Sequence, residues 1–252
     1  MVDGNATPQL DPNVFPSSGF AAGGTVHRSA EDAGVGLARR LRLIGEIGVL
    51  FIGAPIAMTY AIYGWRVPLF AALLPVMVGI ILYLLWDNRF SIRRELAVPM
   101  RWRTFLAIIA LFIPAGAAIT AFAWIDVPER FLAFPRYAFQ LWLTIMLLYP
   151  FLSALVQEAI YRSFFFHRYG GLFGDHKALA IITNGLLFGF AHIMFASWVT
   201  FTISALGGIL FAYRYMQTRS LLAVWFEHAI YGNLIFTVGL GRYFFTGVSN
   251  AG

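Results

Sequence analysis

Glu158 and Arg162 stand four residues apart in "QEAIYRSFFFHRYG", directly after the almost wholly apolar run "FQLWLTIMLLYPFLSALV". That spacing puts both side chains on one helical face. A carboxylate in such a place is costly unless something nearby uses or neutralises it. One reading is a structural ion pair at a membrane edge. The other is a general base whose charge and orientation are controlled by Arg162. His192, in "NGLLFGFAHIMF", and His228, in "AVWFEHAIYGNLIF", interrupt two further apolar runs. Taken singly, each suits a core histidine bonded to a neighbouring carbonyl. A glutamate and two histidines converging from three helices can activate water, hold a metal or relay protons.

Other polar residues carry plainer expectations. Glu46 follows Arg39, Arg40 and Arg42 and reads as local charge neutralisation. Asn184 either hydrogen-bonds between helices or faces the same cavity as His192. Glu227 is a second acid next to His228, but adjacent helical residues point in different directions. His167 and Arg168 are expected to meet water or anionic headgroups. The aromatic stretches "SFFFHRY" and "GRYFF" are expected at the lipid or the interface. No GxGxxG, P-loop or HExxH pattern is present, so no cofactor and no metal is implied.

Elements that position these residues must be membrane helices. The 252 residues are 60% hydrophobic and only 12% charged, against roughly 25% charged in a soluble domain. Apolar runs of this length exceed a barrel strand, and every backbone group in lipid needs an internal partner, so the expected fold is all-α and polytopic. Seven segments reach membrane length, at about 43–62, 68–86, 104–124, 137–156, 178–196, 199–213 and 221–240. The fourth either continues through Glu158 as one long bent helix or breaks there. Gly207 and Gly208 are expected to allow close helix contact. Residues 1–36, rich in Gly, Pro, Ser and Asp, read as a flexible polar tail, and 37–252 as one transmembrane domain.

Of the 18 basic residues 17 are arginine, and they fall mainly between the apolar segments. Arg28, Arg39, Arg40 and Arg42, then Arg89, Arg93, Arg94, Arg101 and Arg103, then Arg168, Lys177, Arg214 and Arg219 lie on one side. Arg66, Arg130, Arg136 and Arg242 lie on the other. The expectation is a cytoplasmic N-terminus and a C-terminus across the membrane. Charge dispersed in this way does not suit a nucleic-acid partner, and the absence of cysteine excludes disulfide and thiolate chemistry. The partners expected are the bilayer and a membrane-associated peptide or protein; oligomeric state is not legible. Straight spans leave one tension. They place His228 about 10 Å and His192 about 20 Å from the cytoplasmic starts of their helices, with Glu158 at a boundary. Convergence therefore needs tilted or staggered helices, or other boundaries.

The ordered set then resembles one family. "QEAIYR" is similar to the EExxxR motif of the CAAX protease and bacteriocin-processing (Abi) family, "FGFAH" from Phe188 to His192 to its FxxxH, and "HAIYGN" from His228 to its HxxxN. The likeness covers about 137–240. It implies a helical intramembrane endopeptidase of the bacterial inner membrane that needs no metal. In it a glutamate and His192 activate water, while His228 and a nearby asparagine stabilise the oxyanion. Two positions depart from the pattern. Gln157 stands where the first glutamate is usual, and an amide does not ionise, so either Glu158 activates water or peptidase activity is lost. Gly232, not an asparagine, lies four residues after His228, and Asn233 follows it, turned by roughly 100°. A proton-linked transporter and a catalytically inactive membrane binding protein are the alternatives.

Overall fold

The computed structural model describes residues 30–246 except 69–70, 73–74, 76–77, 80–81 and 84–90, with side chains from Gly36 onward. Most of the tail, Arg28, Arg89 and much of the second expected span (68–86) lie outside the described residues. The described residues form an all-α bundle in which six helices are long and apolar enough to cross a membrane.

Helix α1 runs from Ala30–Ile47 through a π-helical segment, Gly48–Gly53, into Ala54–Gly64. The short α2, Ile92–Ala97, is capped by Ser91, whose hydroxyl accepts from the Arg94 amide. α3 is Trp102–Asp126 and α4 is the single turn Ala133–Tyr137. α5 spans Phe139–Leu172 as one long rod. It is twice π-helical, at Pro150–Ala154 and Ala159–Phe164. α6 is Lys177–Phe190, α7 Trp198–Thr218 and α8 Leu221–Val238.

The ends of α7 and α8 follow from local chemistry. Ser197 and Ser220 accept the amides of Thr200 and Ala223 and so start α7 and α8. Gly239 closes α8 in the left-handed region (φ 100°), and a Cβ there would collide with the Arg130 carbonyl oxygen. Only glycine meets both demands.

Span boundaries depart from the expected ones in several places, the first span running Gly36–Gly64 rather than 43–62. Of the two alternatives for the fourth span, the structure shows the continuous one: it runs through Glu158 to Leu172, because the π segments accommodate the polar residues without breaking the rod. The sixth runs to Thr218 rather than 213, since Arg214 is neutralised inside the bundle by Glu227. The stretch "SFFFHRY" is not at the lipid: Phe164, Phe165, Phe166 and Tyr169 are buried, packed with Phe51 of α1 and with one another. In "GRYFF", Phe245 is exposed, whereas Phe244 packs against Phe195 and Phe236.

Contacts sort the two ends of the bundle. At one end Arg168 grips Glu46 with two hydrogen bonds (3.0 and 2.9 Å), and Arg42 lies 3.6 Å from the same carboxylate. Glu46 is thus the neutralising anion expected, while Arg168 is held by protein rather than by headgroups. At that end too, Glu95 of α2 accepts from Ser163 (2.9 Å) and Tyr215 (2.6 Å), and Ser220 donates to the Val98 carbonyl. At the other end Arg242 lies 3.3 Å from Glu129, and Tyr243 donates to Asp126 (2.6 Å). Exposed Leu, Ile, Phe and Trp side chains on α1, α3 and the first half of α5 face outward as a lipid-contacting surface does. α8 is the most enclosed span.

Candidate active site

Polar side chains meet where α5, α6, α7 and α8 surround a small interior region. Glu158 and Arg162, one turn apart on α5, are both fully buried, with Arg162 Nε 3.0 Å from Glu158 Oε2. The other carboxylate oxygen, Oε1, lies 2.8 Å from Nδ1 of His228 on α8. An ionised carboxylate only accepts, so Nδ1 carries the hydrogen and Glu158 fixes the ring and its tautomer. Nε2 of His228 then faces the Tyr149 hydroxyl at 2.9 Å.

Aromatic rings wall this group in. Phe211 of α7 stacks on the His228 ring at 4.8 Å, and the Arg162 guanidinium lies over Phe188 (4.8 Å) and Phe211 (5.6 Å). These cation–π contacts, together with Glu158, offset the burial of the cation. Its Nη1 and Nη2 make no hydrogen bond among the described residues, and neither does Gln157 Oε1. Such atoms are ones that a water or a substrate carbonyl would satisfy.

His192 comes from just beyond α6. Its Nδ1 donates to the Phe188 carbonyl at 2.7 Å, which leaves Nε2 as an acceptor. It reaches the group through one ring: Phe188 meets His192 at 4.9 Å and His228 at 5.6 Å between centroids. The motif phenylalanine is therefore the wall shared by both histidines and Arg162.

Remaining residues from the sequence reading have local duties. Gln157 donates to Ser153 (2.8 Å) on its own helix. Asn184 is buried and donates to the Tyr161 carbonyl (2.6 Å) inside the second π segment, which makes it a bond between α6 and α5. Asn233 turns to α5, where its amide donates to the Met146 carbonyl (3.3 Å). That carbonyl is the one Pro150, lacking an N–H, cannot bond. Glu227, adjacent to His228, is buried and paired bidentately with Arg214 (2.9 and 3.0 Å). No group of three or more His, Cys, Asp or Glu able to hold a metal occurs among the described residues.

The depth tension is met by a longer α5 and by stagger between α5 and α8. Because α5 continues to Leu172, Glu158 lies about 20 Å from that end, at 1.5 Å per residue. Tyr149 and Phe211 do not stand out from the sequence. A tyrosine and a phenylalanine in apolar helices read as packing, and Gly232 reads only as a missing asparagine. The available signal for Tyr149 was its place immediately before Pro150, where a helix changes phase.

Residues 139–234 are similar to one protein family. The match is to the family model for Type II CAAX prenyl endopeptidase Rce1-like proteins, and it contains every residue of the Glu158 group. No curated protein and no solved structure matches the chain.

Proposed function

We propose that the protein is an intramembrane endopeptidase that hydrolyses a peptide bond of a membrane-associated protein or peptide. The observation carrying this reading is the buried Glu158–His228 pair inside the Rce1-like region. His192 Nε2 accepts a hydrogen bond from the attacking water. The proton leaving that water passes to the Glu158–His228 pair, and the hydroxide attacks the carbonyl carbon. As the C–N bond breaks, the same proton goes to the amine nitrogen, so one water yields one carboxyl and one amino terminus. Arg162, one turn away, aligns Glu158. Gln157 has no part as a base.

Terminal-peptide profiling of membranes tests the reading by comparing the wild-type chain with Glu158→Gln and His192→Ala. Accumulation of the same uncleaved membrane substrate in both variants is expected, with folding checked by gel filtration. A second reading rests on Gln157, whose amide cannot ionise. On it the site relays protons or binds a partner without cleavage. A Glu158-dependent proton flux in vesicles with unchanged termini would establish transport, and partner capture with neither signal would establish an inactive binder.

A further inference from the structure

Glu158 is linked to the rest of the site through His228. It is fully buried, one oxygen faces Arg162 and the other is bonded to His228. His228 is nearly as enclosed, and both its ring nitrogens are engaged, Nδ1 by Glu158 and Nε2 by Tyr149. The only hydroxyl in this hydrogen-bonded set among the described residues belongs to Tyr149, a residue that is partly exposed. On the His228 side, the polar route to the carboxylate–imidazole pair runs through Tyr149.

The fold has made room for that route. Tyr149 and Glu158 are nine residues apart on α5, two and a half turns of a regular α-helix, which would set them on opposite faces. The π segment Pro150–Ala154 lies between them and shifts the phase, so both reach the same imidazole. On the facing helix, Gly232 lies one turn beyond His228. A Cβ at Gly232 would collide with the Tyr149 hydroxyl oxygen and stand 2.5 Å from its Cζ. Real Cβ atoms do not approach so closely, and the ring is held by Phe236 at 5.3 Å. The absent side chain at Gly232 is the seat of the tyrosine.

We infer that Tyr149 is a catalytic residue, the outlet through which the Glu158–His228 pair exchanges its proton with water and the leaving amine. This rests on the peptidase reading above. In the forward step the water proton bonds to Tyr149 Oη while the tyrosine's own proton moves to His228 Nε2. His228 becomes an imidazolium beside the Glu158 carboxylate, and hydroxide is released towards the peptide carbonyl. In the return step His228 gives a proton back to Tyr149, and Tyr149 gives one to the amine nitrogen as the C–N bond breaks. Tyrosine ends as it began, and no other reactant is consumed.

Two measurements on the full chain decide the matter. In protein labelled with ¹⁵N-histidine and held in lipid nanodiscs, the His228 signals are identified by their loss in His228→Gln. Tyr149→Phe keeps the ring and its packing, so only Nε2 of His228 should move, to the position of an unbonded imine nitrogen, while Nδ1 stays protonated. Gly232→Ala should move the same signal by displacing the ring. An Nε2 signal unchanged in Tyr149→Phe would overturn the inference. On the substrate found by profiling, Tyr149→Phe should lower kcat by about 10²-fold with KM unchanged. Adding Gly232→Ala to it should cost less than the two single losses combined, as expected for one shared interaction. Full kcat in Tyr149→Phe would remove Tyr149 from the reaction and leave the peptidase reading intact. If the wild type cleaves nothing while Nε2 responds as stated, it is the peptidase reading that fails, and Tyr149 stands as the donor to His228.

Discussion

Glu158 and Arg162 are a buried pair whose members have few other supports. Arg162 has Glu158 on one side and two aromatic faces on the other, with no hydrogen bond from its terminal nitrogens among the described residues. Removing one charge strands the other, which costs on the order of 3–5 kcal/mol in a buried pair. Chemical unfolding in detergent should therefore show Glu158→Gln to be markedly less stable than wild type. Glu158→Gln combined with Arg162→Met should regain much of that loss without regaining cleavage. Asn233 predicts the opposite pattern. Its amide serves the Met146 carbonyl left open by Pro150, so Asn233→Ala should cost about 1–3 kcal/mol of stability. Its effect on kcat should be smaller than that of Tyr149→Phe, as steady-state kinetics on the profiled substrate would reveal. The sequence announced Glu158, Arg162, His192 and His228 because charge and imidazole are conspicuous among apolar neighbours. It concealed Tyr149, which differs from its neighbours by one oxygen whose partner is 79 residues away.

Helix contacts set how firmly the site is framed. α6 and α7 pack through glycine: a Cβ on Gly208 would stand 2.9 Å from the Gly185 Cα and carbonyl oxygen, both backbone atoms that cannot step aside. Gly207, its neighbour, meets only the Phe211 ring of its own helix, at 3.4 Å. The two glycines, equivalent in the sequence reading, thus part company. Gly208→Ala should destabilise by about 1–3 kcal/mol or more through helix separation. Gly207→Ala should be neutral, or gain up to about 1 kcal/mol in helix propensity. Thermal unfolding of the two variants in one detergent would separate them. That helices would form was legible from apolar length alone. The π segments of α5 were not, because they arise from how Pro150 and the polar group at 157–162 are served by other helices, and single-chain periodicity carries no record of those partners.

At the scale of the whole molecule, the arginine-rich segments and the arginine-poor ones occupy opposite ends of the bundle. Arg42, Arg168, Arg94 and Arg214 lie with the Glu46 and Glu95 contacts, and Arg130 and Arg242 with Glu129. We propose that the first end is cytoplasmic, as the arginine excess requires. The chain contains no cysteine, so single reporters can be introduced without background. In sealed right-side-out vesicles a membrane-impermeant maleimide should label Arg242→Cys and spare Arg40→Cys. Inverted vesicles should give the reverse. Labelling of both from one side would refute the orientation.

The fit of Tyr149 against Gly232 also has a history written into it. Neither position can change by itself at low cost: a larger residue at 232 collides with the ring, and a smaller one at 149 leaves His228 Nε2 without its donor. Any lineage passing between this arrangement and one with a side chain at 232 crosses an intermediate with a damaged site, unless both codons change together. The two positions, on different helices and 83 residues apart along the chain, should therefore exchange as a linked pair across related chains. Tyrosine should accompany glycine, and a non-aromatic residue should accompany a side chain that can itself reach the imidazole.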